Sequence, residues 1–167
     1  MEVINLTKDI KQKISQIKGI QDKAPKMLAA AAEKMKDANF SAEGFVIGGT
    51  PRPKWKKRKK ETGTSEGKRI LHGRGTLQNS VKTKALSKFV KVGVDLNKVP
   101  YAALHNEGGR VMQNVRPHHR QLKNGKRQQV KGFMRRINMP QRKFLGYSPD
   151  TLKIFTKELD AAFNKIK

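Results

Sequence analysis

The chain contains no cysteine among its 167 residues. That absence excludes disulfide bonds, thiolate metal sites and a cysteine nucleophile. No apolar run approaches the roughly 18 residues that a membrane span needs, and no signal-peptide pattern follows Met1. We therefore expect a soluble protein that acts inside the cell and has no contact with a membrane.

Acidic residues are also scarce, since 13 Asp and Glu stand against 38 Lys and Arg. The acidic residues are scattered, so no pair of carboxylates for general acid–base catalysis can be recognised. His118 and His119 are adjacent and would point apart on a strand. His105 and Glu107 faintly resemble a short nuclease motif, but without a second His or carboxylate set they cannot hold a metal. We expect no enzyme, no metal and no cofactor.

The resulting net charge of +25 on 18.9 kDa predicts attraction to polyanions. A basic nucleic-acid-binding protein is therefore one candidate function. A small ribonuclease or toxin is another, and it would need a cluster of His and carboxylate side chains in space. The cations that we expect to contact DNA or a partner protein lie in two basic segments. They are Lys56, Lys57, Arg58, Lys59, Lys60, Arg116, Arg120, Lys123, Lys126 and Arg127.

An amphipathic helix is predicted for the first forty residues. Apolar residues recur there at steps of three and four, which places them on one stripe of a helix. They are Val3, Leu6, Ile10, Ile14, Ile17 and Ile20. Pro25 should kink or interrupt the helix, because its ring clashes with the carbonyl four residues earlier, and Asp22 can cap a restart. The stripe either packs on a sheet or binds a partner subunit.

A basic segment follows a short predicted strand. Phe45-Val46-Ile47 is apolar and ends at the breaker Gly48-Gly49. Residues 51–70 combine a run of Lys and Arg with Gly and Ser and show no periodicity, so we predict a flexible basic loop. Trp55 in this loop either stacks on a nucleic-acid base beside bound phosphates or packs against the core of the domain.

Two β-hairpins are predicted in the second half of the chain. From Leu77 to Val94, apolar and polar residues alternate around a turn at 86–88, which favours strands with one covered face. Residues 110–137 contain no acidic residue and hold Asn124-Gly125, the strongest short hairpin signal. We predict a protruding basic hairpin there, and a disordered basic loop is the alternative.

The chain ends in a second predicted amphipathic helix. Ser148 is a favoured N-cap, and Pro149 and Asp150 suit the first turn. We therefore predict an α+β fold. A long N-terminal helix and a C-terminal helix pack on a small antiparallel sheet, a basic β-hairpin protrudes, and residues 1–167 form a single domain.

Three short stretches carry a resemblance when they are taken in order. Residues 75–81 read Gly-Thr-Leu-Gln-Asn-Ser-Val, residues 92–93 and 100–109 contain Val-Gly and Tyr-Ala-Ala-Leu-His-Asn-Glu-Gly-Gly, and residues 139–146 read Met-Pro-Gln-Arg-Lys-Phe-Leu-Gly. Together they resemble the motifs of the phage virion morphogenesis family, although Arg74 stands where that family usually has Thr. The matching residues are Gly75, Leu77, Ser80, Gly93, Tyr101, Ala102, His105, Gly108, Gly109, Pro140, Arg142, Phe144 and Leu145.

The resemblance implies a non-enzymatic structural protein of tailed phages and Mu-like prophages. Such a protein completes the tail or joins head and tail, and its partners are other tail or head–tail connector proteins. The family also implies a homo-oligomeric ring on assembly. The protein would then be found in the virion, and in the cytoplasm of the bacterial host during assembly.

Overall fold

The computed structural model describes residues 3–58 and 66–166, and this part of the chain has the predicted α+β composition. A long helix opens it and a shorter helix closes it, with short strands between them. In chain order the elements are α1 (Val3–Ser41), β1 (Gly44–Ile47), β2 (Thr50–Lys54), α2 (Thr76–Ser80), β3 (Val81–Ala85), β4 (Val90–Val94), α3 (Ala102–Glu107), β5 (Gly109–Val115), β6 (His118–Gln121), β7 (Arg127–Val130), β8 (Phe133–Met139) and α4 (Pro149–Phe163).

Helix α1 continues through Pro25, so the predicted interruption is wrong. Proline has no N–H to donate to the carbonyl of Gln21. Gln21 is exposed, and water can therefore solvate the carbonyl group that Pro25 leaves without a partner. The run after Pro25, which is rich in Ala, has high helix propensity and propagates the helix to Ser41.

The strands form four separate two-stranded antiparallel ladders rather than the single small sheet that we expected. The pairs are β1 with β2, β3 with β4, β5 with β8, and β6 with β7. Helix α1 contacts α4, β1, β3 and β4. The long helix thus takes the place of a central sheet as the element on which α4, β1, β3 and β4 pack.

The stretch from Leu77 to Val94 begins as a helix, which corrects the strand predicted from Leu77. Leu77 is buried in the short helix α2, where Ser80 Oγ donates a hydrogen bond to its carbonyl at 2.7 Å. Alternation of apolar and polar residues starts only at Val81, and from there β3 and β4 pair as predicted. The turn at 86–88 closes with a hydrogen bond from the Leu86 amide to the Phe89 carbonyl at 2.9 Å.

The basic segment 51–70 starts as a strand, so its first four residues are not the flexible loop that we predicted. Pro51 and Lys54 belong to β2, which pairs only with β1 in the described part of the chain. An edge strand tolerates proline because one side of it makes no ladder hydrogen bonds. Residues 59–65 of the segment lie outside the described residues.

The segment around Asn124-Gly125 is built from two ladders in succession. The β5–β8 ladder runs from the pair Gly109↔Met139 to the pair Val115↔Phe133, and the β6–β7 ladder follows it. Gly125 adopts φ 78° and donates its amide to the Leu122 carbonyl at 2.9 Å. The disordered alternative is therefore wrong for this segment.

The core lies where α1 meets the first two hairpins and the segment before α4. Phe40 is its centre, with ring centroids 5.5 Å from Trp55 and 5.6 Å from Phe144. The buried apolar cluster consists of Phe40, Trp55, Ile70, Leu77, Val81, Val99, Ala102 and Phe144. Such a cluster stabilises the fold by removing apolar surface from water.

Both long helices leave part of their apolar stripe uncovered by the described residues. In α1 every residue from 7 to 18 is exposed, Ile10, Ile14 and Ile17 included. In α4 no residue is fully buried, and Leu152 and Phe163 are exposed. The start of α4 is as predicted, since Ser148 Oγ accepts a hydrogen bond from the Asp150 amide.

Candidate functional site

Two of the three stretches that carry the resemblance meet in space, and we call the region where they meet the motif junction (residues 101–109 and 140–145, with Trp55). The Arg142 amide donates to the His105 carbonyl at 2.7 Å. Asn106 Oδ1 accepts from the amides of Phe144 and Leu145 at 3.0 and 2.9 Å. Short helix α3 therefore holds the segment that leads into α4.

The basic segment joins the same junction through Trp55. The Trp55 indole Nε1 donates to the Lys143 carbonyl at 2.8 Å, and Arg142 Nε donates to the Lys56 carbonyl at 3.0 Å. Trp55 is only 4% exposed. A buried, hydrogen-bonded indole offers no face to a nucleic-acid base, so the base-stacking interpretation is wrong and the packing interpretation is confirmed.

The glycines of the junction have a geometric role. Gly108 has φ 73°, and a Cβ at this position would lie 2.8 Å from the amide nitrogen of Gln141. Gly109 follows with φ 133° and opens β5. Glycine is required where the backbone is left-handed and another chain segment approaches this closely.

The remaining motif residues lie around the junction and in the core. Ala102 and Phe144 are each 1% exposed, and Leu145 is half-buried. Pro140 is half-buried directly after β8. Tyr101 is exposed and packs edge-on against the ring of His105, with centroids 5.8 Å apart.

The first motif supports the core and lies beside the junction. Gly75 precedes α2 with φ 78°, and Leu77 is buried. Thr76 and Leu77 help to line the cavity that also contains His105 and Arg142. Gly93 lies in β4 opposite Lys82, and no hydrogen bond in the described part of the chain ties it to the junction.

Two asparagines act in the junction, and sequence reasoning gave neither of them a role. Asn106 makes the two bonds described above. Asn39 is buried, accepts from the Val46 amide at 2.8 Å and donates to the Phe144 carbonyl at 3.2 Å. A sequence signal existed for Asn39, because it lies four residues after Met35 on the apolar stripe of α1. A polar residue on such a stripe indicates a buried hydrogen bond.

A small cationic cavity of about 230 Å³ opens beside the junction. Its polar lining includes Arg58, His72, His105 and Arg142. Burial, and then the positive charge of Arg142, lowers the pKa of His105. Burial, and then the charge of Arg58, lowers the pKa of Arg142. Burial, reinforced by the nearby positive charge of Arg142, therefore favours the neutral form of His105.

The guanidinium groups of this cavity hold backbone together. Arg58 donates to the carbonyls of Lys68 and Arg69 at 2.7 and 2.6 Å. Arg142, 7% exposed, donates to Lys56 as described above. Their hydrogen bonds to carbonyls give both cations a structural role in the fold.

Of the other candidate contact residues, those that the structure describes are at the surface. Lys56 and Lys57 are exposed, and Lys59 and Lys60 lie outside the described residues. The side chain of Arg120 donates to Gln128 Oε1 across the β6–β7 ladder at 2.9 and 2.6 Å. The other four, which belong to the long β-hairpin segment, are all exposed. They are Arg116, Lys123, Lys126 and Arg127.

The described residues contain no group of three or more His, Asp or Glu side chains placed to hold a metal ion. His105 and Glu107 are therefore not joined there by further ligands. Among the same residues, no helix has both the length and the apolar character that crossing a bilayer requires.

Comparison with known families decides what kind of protein carries this junction. Residues 7–163 match the phage virion morphogenesis family. The chain belongs to this family. The match takes in all three resembling stretches, α4 and α1 from residue 7 onward, so the resemblance that the motifs carry is confirmed. No curated protein and no solved structure gives a significant match, and the likeness to Mu-like prophage members stays a prediction.

Proposed function

We propose that this virion morphogenesis protein completes the tail or joins head and tail, and that it does so without catalysis. It would be made in the cytoplasm of the bacterial host and assemble there with tail or connector proteins into the virion, as a homo-oligomeric ring. Membership of the family supports a role in phage assembly. The motif junction supports a scaffolding role, because its side chains bond backbone groups of the chain itself.

The observation that carries the proposal is the composition and exposure of the long β-hairpin segment, residues 109–139. It holds six Arg, three Lys and no acidic residue. Met112 and Phe133 in its strands are exposed, as are Val111 and Met134. Exposed apolar and cationic side chains on one extended element are typical of a contact surface.

Two kinds of contact suit this segment. Its free strand edges can add to the sheet of a neighbouring subunit, since antiparallel addition satisfies backbone donors and acceptors. Alternatively, its cations face DNA that passes through the assembled particle. The first contact depends on the strands themselves and the second depends on charge, so variants can separate them.

The test is deletion of residues 117–128 from the protein in its phage. Arg116 and residues 129–132 would then connect β5 to β8, and the β5–β8 ladder keeps its full register. The expected result is unjoined heads and tails, because the projecting contact is gone. Normal particle yield from the deletion variant would refute the proposed use of this segment.

A matched variant separates strand addition from charge. Lys123, Lys126 and Arg127 are exposed, so replacing all three with Gln removes charge and keeps the hairpin. If the segment adds a strand to a neighbour, this triple variant assembles normally while the deletion does not. If the cations face DNA, both variants fail at the same step. If the purified variants unfold at the same temperature as the wild-type protein, misfolding is excluded as the cause.

A nucleic-acid-binding protein is the second candidate, and the exposed cations of the hairpin segment favour it. Salt dependence measures how many phosphates are engaged. Binding that neutralises six phosphates on duplex DNA gives a slope of about −5 in log affinity against log salt. A steep slope with clear site preference supports this function, whereas weak and indiscriminate binding supports a virion component.

A further inference from the structure

The first part of α1 extends beyond the packed core, and we call residues 7–26 the arm. Ile10, Ile14 and Ile17 on the arm are 50%, 47% and 46% exposed. Single helices are marginally stable in water, and tertiary packing of an apolar face normally supports them. The arm has such a face, and the described residues of its own chain leave it uncovered.

The same stripe of α1 forms one wall of an apolar groove farther along the helix. The groove has a volume of about 380 Å³ and lies between α1, β4 and the start of α4. Leu28, Ala32 and Met35 line it from α1, and Val92, Tyr147 and Leu152 line it from the other elements. Tyr147 and Leu152 are 73% and 45% exposed at its rim.

Arm and groove use equivalent positions of the helix. Ile10, Ile14 and Ile17 each precede a groove residue of α1 by 18 residues, and those residues are Leu28, Ala32 and Met35. Eighteen residues make about five helical turns and about 27 Å. The arm is therefore too far along the helix to fill the groove of its own chain.

Charge favours another copy of the chain as the occupant. The arm carries six Lys and two Asp, a net charge of +4. Around the groove, residues 27–41 carry two acidic and two basic residues, α4 carries three acidic and two basic, and β4 carries one basic residue, a net charge of 0. On a chain of charge +25, the elements around the groove are thus a surface that a second basic chain can approach without strong repulsion.

We propose that the arm of one copy packs its isoleucine stripe into the groove of a second copy. The inference rests on the proposed assembly function and deepens it by naming the two surfaces that meet between copies of the chain. Donor and acceptor are different surfaces, so the contact can be reciprocal in a dimer or continue head-to-tail around a ring. Burial of the three isoleucines drives the association.

The chain has no cysteine, so disulfide cross-linking between two differently tagged full-length variants tests the contact. One variant carries Ile14→Cys on the arm and the other carries Leu152→Cys at the groove rim. Disulfides form only when the two Cα atoms come within about 7 Å. The expected product is a cross-link between the two different tags. The matched control replaces Ile14→Cys with Gln12→Cys, which lies about 200° around the helix and should not cross-link.

Three results would overturn the inference: no cross-link, equal cross-linking of the Gln12→Cys control, or cross-links mainly between two Ile14→Cys arms. A second variant measures the energy. Ile14→Asp should weaken self-association in sedimentation by about tenfold, as expected from losing part of one buried side chain, while leaving thermal unfolding of the dilute protein unchanged. Cross-linking and sedimentation use purified protein alone and test only the contact between arm and groove. The particle assay with the 117–128 deletion tests the assembly function, so each claim can be refuted without the other.

Discussion

Asn106 and Phe144 are 38 residues apart in sequence, and the side-chain oxygen of the first accepts the backbone amide of the second at 3.0 Å. The same oxygen accepts the Leu145 amide at 2.9 Å. One carbonyl oxygen thus fixes the chain just before α4, and it does so between two segments that carry motifs of the family.

Asn106→Ala should destabilise the protein by about 2–4 kcal/mol, because two amide donors lose their acceptor in a partly buried place. Urea unfolding followed by circular dichroism measures this loss. Asn97→Ala is the matched control, since Asn97 is exposed and its side chain makes no hydrogen bond in the described part of the chain. Equal stabilities of the two variants would contradict the role given to Asn106.

Stability should fall as pH drops below neutrality because of His105. Burial and Arg142 lower the pKa of His105 in the folded state, so the unfolded chain binds a proton at a pH where the folded chain does not. The stabilisation that His105 contributes is fully present above its pKa in the unfolded chain, about 6.5. It is lost as the pH falls toward the lower pKa of His105 in the folded chain. His105→Gln should show a shallower loss between pH 7.5 and 5.5 in urea unfolding. If the stability of His105→Gln falls with pH as steeply as that of the wild-type protein, His105 is not the cause.

Two glycines with similar backbone angles should respond differently to alanine. Gly108 and Gly125 have φ 73° and 78°, but a Cβ meets the Gln141 amide at Gly108 and nothing within 4 Å at Gly125. Gly125→Ala should cost about 1 kcal/mol from backbone strain alone. Gly108→Ala should cost at least about 2 kcal/mol, because a clash is added to strain. Thermal unfolding measures which of the two variants is less stable. A Gly125→Ala variant less stable than Gly108→Ala would contradict the close approach at Gly108.

The single tryptophan reports whether the basic segment stacks on nucleic acid. Trp55 is buried and bonded to Lys143, so its fluorescence should be blue-shifted and should not be quenched by single-stranded DNA. Trp55→Phe should lower stability by about 1–2 kcal/mol, through the lost hydrogen bond, and leave DNA affinity unchanged. Strong quenching together with lost affinity in the variant would contradict the packed position of Trp55.

The sequence predicted those elements that local chemistry determines. Ser148 with Pro149 sets the start of α4, and alternation from Val81 sets β3 and β4, because capping and side-chain period act over a few residues. Prediction failed at the prolines. The helix continues through Pro25 because water can solvate the carbonyl left without a partner and the run that follows has high helix propensity, and β2 contains prolines because it lies at the edge of a ladder.

The candidate site was only partly visible in the sequence. His105 and Arg142 both belong to the motifs, and the structure brings them together through a hydrogen bond from the Arg142 amide to the His105 carbonyl. The acceptor role of Asn106 was not predictable, since it depends on a contact 38 residues away. The uncovered isoleucines of α1 had the same helical period as a buried stripe, and only the fold shows which turns are covered.

The central claim, that the chain acts in virion assembly, is tested most directly by electron microscopy of lysates from a phage that lacks this gene. Wild-type protein supplied in trans is the control. The account predicts that heads and tails accumulate without being joined and that the supplied protein restores whole particles. Normal numbers of complete, infectious particles without the gene would contradict it.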